Sequence, residues 1–176
     1  MHQSRRLKSK IKTLEELSQI VQELKRQGKQ VVFTNGCFDI IHAGHVNLLQ
    51  DARGLGDVLV VAINNDSSVS TLKGRQRPIN PQQQRSEVVA SLESVDYVVI
   101  FDELDPLRVI EEIEPQVLVK GGDWALDTIV GREVVERAGG KVISIPLMDW
   151  VSTTDIIKRV AERFTAESET PRPVGK

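Results

Sequence analysis

Three observations predict a single α/β domain: a doubly wound, five-stranded parallel sheet with helices on both faces. Five short apolar runs, at residues 30–34, 57–63, 97–101, 117–120 and 141–145, are continuous rather than alternating, as in strands buried on both sides. Segments with helical spacing separate these runs, the alternation expected of a parallel sheet. The chemically unusual residues cluster after strand ends, at 35–45, 64–77, 120–124 and 150–154, where ligands bind in such sheets.

The elements follow in order. Residues 13–27 place Leu14, Leu17, Ile20, Val21 and Leu24 at helical spacing. Thr13 with Glu16 forms a capping box, and Gly28 stops the helix. This apolar stripe must pack on the chain's own sheet or on a partner chain. The strand at 30–34 leads to a helix at 46–55, and the strand at 57–63 is followed by a loop carrying Lys73, Arg75 and Arg77. A helix at 82–92 precedes the strand at 97–101. Then come a helix at 106–113, a strand at 117–120, a helix at 130–138 stopped by Gly139-Gly140, a strand at 141–145 and a last helix at 154–164. Residues 1–12 read as a flexible basic terminus, 13–164 as the domain, and 165–176, with Pro171 and Pro173, as a disordered tail.

Composition excludes several classes. The chain has 176 residues, 40% hydrophobic and 27% charged, with net charge −2, so no general polyanion-binding role is implied. Residues 1–30 carry eight basic and three acidic side chains; the remainder carry 15 basic and 22 acidic. The basic start is a solvated helix face rather than a nucleic-acid or membrane contact, since its charges alternate with apolar residues at helical spacing. The single cysteine, Cys37, permits no intrachain disulfide and reads as a small packing residue. No signal-peptide pattern and no run of about 20 apolar residues is present, so a cytoplasmic, reducing location is expected.

The most informative stretch is Thr34-Asn35-Gly36-Cys37-Phe38-Asp39-Ile40-Ile41-His42-Ala43-Gly44-His45. A strand here hands over to a helix, and free N–H groups with the helix dipole make that junction an anion site. Gly44 lets the backbone approach a phosphate, and two imidazoles three positions apart suggest that the phosphate is acted on as well as held. His2 is read as an idle terminal residue. Lys73, Arg75 and Arg77 put three cations in five residues at the same sheet edge. Ser152-Thr153-Thr154-Asp155 opens the last helix and serves equally as N-cap or phosphate cradle. In Lys120-Gly121-Gly122-Asp123-Trp124 the glycines admit a base or ribose, and Trp124 either stacks on that base or covers the core. Asn65 and Asp66 are read either as turn residues or as holders of sugar or metal. Asp39, a carboxylate beside an anion site, is assigned to the acceptor sugar. Arg85 opens a helix at the same edge and either reaches the acceptor phosphate or sits at the surface.

The segment TNGCFDIIHAGH resembles the first motif of the cytidylyltransferase-like nucleotidyltransferases. Three more segments match in order: NNDSSVSTLKGRQRPI (64–79), KGGDW (120–124) and WVSTTDII (150–157). Together they look closest to the bacterial D-glycero-β-D-manno-heptose 1-phosphate adenylyltransferases. The resemblance covers roughly residues 13–160. It implies a Rossmann-like fold and adenylyl transfer from ATP to a sugar 1-phosphate, as a step toward lipopolysaccharide; Mg²⁺ with the ATP is expected from the needs of the triphosphate. It implies His42, His45 and Lys73 as catalytic residues. Thr34, Asn35, Gly36, Phe38, Gly44, Lys120, Gly121, Asp123, Trp124, Ser152, Thr153 and Thr154 would bind nucleotide. Asp39, Asn65, Asp66, Arg77 and Arg85 would bind acceptor, and no side chain is assigned to a metal. Some relatives fuse this activity to a sugar kinase; the chain is too short to contain one and so resembles the stand-alone form. A homo-oligomer is the assembly the family suggests.

The chemistry agrees. A sugar phosphate is already an anion, so no general base is required, and pyrophosphate leaves without a strong acid once a metal holds it. Catalysis then rests on positioning and on neutralising charge at the α-phosphate. Other readings are a cytidylyltransferase acting on glycerol 3-phosphate or ethanolamine phosphate, a non-catalytic nucleotide sensor, and a nucleic-acid module. The intact histidines and Lys73 disfavour the sensor, and the acidic body of the chain disfavours the nucleic-acid module.

Overall fold

The computed structural model describes residues 9–122, 124–146, 148 and 150–167, with side chains to residue 164. Six parallel strands form one sheet: β1 (Ile11–Lys12), β2 (Val31–Gly36), β3 (Val58–Asn64), β4 (Tyr97–Phe101), β5 (Val117–Gly121) and β6 (Lys141–Ile145), in the order β1-β4-β3-β2-β5-β6. Seven helices accompany them among the described residues: α1 (Leu14–Arg26), α2 (Ala43–Arg53), α3 (Asp66–Lys73), α4 (Gln82–Ser91), α5 (Leu107–Ile113), α6 (Arg132–Arg137) and α7 (Thr153–Glu167).

Alternation along the strands sorts side chains between two cores. Val31, Phe33, Val60, Ala62 and Val99 face α1, α5 and α6, whereas Val32, Leu59, Val61, Ile63 and Val98 face α2 and α4. Both faces are covered, which is why these strands read as unbroken apolar runs. Leu17 and Val21 of α1 are fully buried in the first core, so the stripe of that helix lies on its own sheet. The expected box caps α1: the Thr13 N–H donates to Glu16 Oε2 at 2.9 Å, and the Glu16 N–H to Thr13 Oγ1 at 3.2 Å.

Among the described residues the sheet has six strands rather than five. Ile11 and Lys12, expected in a flexible terminus, pair with Val98 and Val99, and Lys10 Nζ donates to the Val95 carbonyl at 2.6 Å. A two-residue edge strand with one apolar residue, Ile11, between Lys10 and Lys12, offers no apolar run to detect. The supposed loop after β3 is helix α3, capped by Asn65, whose side chain accepts the Ser68 N–H at 2.8 Å. Helix α6 starts at Arg132 rather than 130, because Gly131 has φ +86° and a Cβ there would come within 2.5 Å of Ile110. Helix α7 runs to Glu167, three residues into the expected tail.

Strand order reverses between β2 and β5, since β3 and β4 lie to one side of β2 and β5 and β6 to the other. The carboxyl ends of β2 and β5 are therefore the switch point where a ligand site is expected.

Candidate active site

A cavity of about 580 Å³ opens at that switch point. Its walls bring together Asn35, Gly36, Phe38, Asp39, His42, Gly44 and His45 from the β2–α2 segment, Lys73 and Arg77 from the end of α3, Lys120 and Trp124 from the end of β5, and Ser152, Thr153 and Thr154 from the start of α7. Four segments separated in sequence thus meet at one place.

Helix α2 begins three residues earlier than its apolar pattern indicates, because Ala43 and Gly44 carry no periodic signal. His42 is its N-cap residue, and His45 lies in its first turn. The His42 side chain caps no N–H of the helix; the His45 N–H bonds the His42 carbonyl at 2.9 Å, and the Ala43 and Gly44 N–H groups stay open to an anion. The two imidazoles stack, with ring centroids 3.8 Å apart, and Phe38 lies against His45 at 5.3 Å. Burial, helped by the neighbouring His42, brings His45 down to about 4; burial also lowers His42. Both are uncharged at neutral pH, and both Nδ1 atoms are buried without a partner. The pair can therefore offer N–H groups to the cavity without carrying charge. Gly44 packs closely here: a Cβ would stand 3.2 Å from the His42 ring and 3.3 Å from Val151, so either neighbour would have to shift by a few tenths of an ångström.

Phe38 has φ +46°, a left-handed conformation that a bulky residue adopts only under constraint. Its ring lies beneath Gly36, where a Cβ would approach Phe38 Cε2 to 3.0 Å.

Asp39 and Arg77 form a buried pair at 2.6 Å, and the Asp39 carboxylate also accepts the Ile79 and Asn80 N–H groups at 2.9 Å. Burial by itself would raise the Asp39 carboxyl, but the Asn80 and Ile79 amides and Arg77 together hold it below the usual range. Its side chain is 0% exposed. The structure thus employs this carboxylate to hold the 77–80 loop, where the sequence suggested a sugar ligand. Arg85 is likewise buried, bonded within the protein and absent from the cavity wall. Asn65 caps α3, with Nδ2 on Asp102 Oδ1 at 2.8 Å, and Asp66 pairs with Arg85 at 2.8 Å; neither lines the cavity.

Lys73, the last residue of α3, is exposed and without an ion-pair partner among the described residues. Lys120 is half-buried, with Nζ 3.5 Å from Asn35 Oδ1 and 5.7 Å from the Trp124 ring centroid; burial lowers its pKa. Trp124 is 51% exposed and donates from Nε1 to the Gly121 carbonyl at 3.1 Å, which leaves its ring available for stacking. Ser152 Oγ accepts the Asp155 N–H at 3.1 Å and donates to Asp155 Oδ2, the capping role, while Thr153 Oγ1 reaches the Ile40 carbonyl at 3.3 Å. Thr34 is fully buried behind the wall, with Oγ1 unpartnered, and Gly121 completes β5 outside the wall. Asp123 lies outside the described residues.

The cavity also has walls that no motif announced: Leu104, Asp105 and Pro106 after β4, and Thr128, Ile129 and Val130 before α6. The first group follows a strand end, so the strand-end rule applied to β4 would have found it. The second has no sequence signal, because it is carried to the site by Gly131 packing on Ile110.

Comparison with known proteins bears on this geometry. A family profile described as cytidylyltransferase-like matches residues 33–159, from β2 into α7. The chain belongs to the cytidylyltransferase-like family. It is a nucleotidyltransferase, and the cavity at the β2/β5 switch point lies within the matched residues. The chain is 50% identical over 159 residues to the bifunctional protein HldE of Geobacter sulfurreducens, covering 90% of this chain and 32% of that protein. It is 53% identical over 152 residues to the HldE protein of Geotalea uraniireducens, covering 86% and 31%. The chain thus spans about a third of the length of these curated relatives. A lipopolysaccharide core biosynthesis protein from Thermoplasma volcanium superposes with TM-score 0.56 at 27% identity, covering 70% of this chain and all of that one. A pantoate–β-alanine ligase from Francisella tularensis shares the fold at TM-score 0.58 and 18% identity, covering 87% and 76%. No helix among the described residues is long and apolar enough to cross a membrane.

Proposed function

We propose that this cytidylyltransferase-like chain moves the adenylyl group of ATP onto D-glycero-β-D-manno-heptose 1-phosphate, giving ADP-heptose and pyrophosphate for lipopolysaccharide core synthesis. The observation that carries the reading is the stacked, uncharged His42–His45 pair at the open N-terminus of α2, in one cavity with Lys73, Lys120 and the start of α7. An oxygen of the sugar phosphate attacks the α-phosphorus, the bond from that phosphorus to the bridging oxygen of the β-phosphate breaks, and pyrophosphate departs. The imidazole N–H groups and the Ala43 and Gly44 amides donate to the α-phosphate oxygens as charge grows on them. Lys73 neutralises the departing pyrophosphate, while Thr153 and Thr154 at the start of α7 hold the triphosphate. Trp124 stacks on the base.

A Mg²⁺ bound with ATP would supply charge neutralisation on the triphosphate. The wall offers two carboxylates among the described residues: Asp39, locked to Arg77, and Asp105, whose Oδ1 accepts the Leu107 N–H at 3.0 Å. Such a donor set suits an ion that keeps most of its ligands from phosphate and water. The heptose acceptor is supported by the motif resemblance and by relatives near 50% identity whose name marks them as bifunctional, as a fusion with a second enzyme would be. A cytoplasmic homo-oligomer is the accompanying proposal.

Pyrophosphate release from each of the four nucleoside triphosphates, with a panel of sugar and polyol phosphates, tests the reading. Release with ATP and the heptose phosphate is the expected result. Preference for CTP with glycerol 3-phosphate or ethanolamine phosphate removes the heptose assignment, and no release with any pair removes catalysis.

A further inference from the structure

Arg85 is one of the largest fully buried side chains in the molecule, at 1% exposure. A guanidinium remains buried only when its donors are satisfied. Nε donates to the Asn80 carbonyl at 3.0 Å, Nη1 to the Cys37 carbonyl at 2.5 Å, and Nη2 to both the Asn64 carbonyl and Asp66 Oδ1 at 2.8 Å. These four acceptors belong to three separate segments: the turn after β2, the junction of β3 with α3, and the loop that Asp39 also holds.

Each acceptor leads to a group in the cavity. The Cys37 carbonyl belongs to the peptide that enters Phe38, the residue held at φ +46°; the Phe38 ring packs on His45, which stacks on His42. The Asn64 carbonyl and the Asp66 carboxylate fix the start of α3, whose last residue is Lys73. The Asn80 loop carries Arg77. A single planar fork therefore sets the histidine turn, the Lys73 helix and the Arg77 loop relative to one another. Lysine, with one ammonium on a flexible stem, lacks the fork that spans all four acceptors.

We propose that Arg85 is a positioning residue for nucleotidyl transfer, setting the histidine pair against Lys73 without itself touching substrate. The proposal rests on the transfer chemistry and not on the identity of the acceptor. A displacement of about 1 Å between such groups costs on the order of 10²-fold in rate, whereas ground-state binding to many scattered contacts tolerates it.

The test uses whichever substrate pair the wild-type chain turns over. In Arg85→Lys, kcat for pyrophosphate release is expected to fall by on the order of 10²-fold, while the Kd for a non-hydrolysable ATP analogue changes less than about threefold and circular dichroism remains that of a folded α/β protein. Wild-type kcat in a folded Arg85→Lys protein overturns the proposal, as does an equal loss in kcat and in ATP affinity. If Arg85→Lys does not fold, Asp66→Ala carries the test: it removes the side-chain partner that is itself 41% exposed. A several-fold fall in kcat at unchanged affinity is then expected, and an unchanged kcat overturns the proposal. Inactivity of the wild-type chain with every substrate pair would count against the proposed function instead, so the two failures are distinguishable.

Discussion

On the β2/β3 side of the cavity the decisive bonds join segments far apart in sequence. Arg85 reaches partners 19, 21 and 48 positions away, and Arg77 meets Asp39 across 38. On the β5/β6 side, Ser152 bonds Asp155 and Trp124 bonds Gly121, both across three positions. Near the cavity, the side-chain bonds tying this second half to the first among the described residues are longer: Thr153 to Ile40 at 3.3 Å, Asn47 to the Met148 thioether at 3.4 Å and Lys120 to Asn35 at 3.5 Å; the short one, from the Val31 N–H to Gln116 Oε1 at 2.9 Å, lies at the opposite ends of β2 and β5. A local bond shapes its own turn and leaves that turn's position to packing, whereas a buried bond between distant segments fixes one against the other. The half holding the histidines, Lys73 and Arg77 is the half so fixed. Phosphoryl chemistry needs fixed distances; stacking on a base tolerates some slack because every base has a π-face.

The largest expected effect on rate separates chemistry from binding. In His45→Ala, kcat should fall by roughly 10²–10³-fold, the scale for losing one donor to a developing anion, with ATP affinity little changed. Steady-state pyrophosphate release beside equilibrium ATP binding reads both, and equal losses would deny His45 a transition-state role. Next, Asp39→Asn should destabilise the fold by about 3–5 kcal/mol by leaving Arg77 without its buried partner, measured by urea unfolding. A loss confined to the acceptor KM, with stability intact, would instead return Asp39 to substrate binding. Smallest is Trp124→Ala: ATP affinity should weaken by about 1–3 kcal/mol, the worth of one stacked base, with kcat at saturating ATP and the thermal midpoint unchanged. A large drop in the midpoint would show Trp124 to be a cover for the core.

Much of this was legible beforehand, and particular residues show why. Runs such as VLVVAI (58–63) encode a strand buried on both faces in their composition, and the Thr13/Glu16 box is local chemistry. The histidine motif is visible as a motif, though the apolar period predicts its helix three residues late because Ala43 and Gly44 lack that period. β1 escaped notice because Ile11 and Lys12 gain their strand character from pairing with β4 rather than from their own pattern. Helix α3 was hidden by its polar composition, DSSVSTLK, in which Val69 alone is both apolar and buried.

The sequence by itself determined the alternation of strands and helices, the switch-point chemistry of the histidine motif, and the four segments that gather there. Tertiary structure alone decided the uses of Asp39 and Arg85. Asp39 joins a loop 38–41 residues away, and three of the four acceptors of Arg85 are main-chain carbonyls. Every residue carries such a carbonyl, so no pattern of side chains marks which ones a buried guanidinium will find; only the folded path of the backbone brings them within its reach.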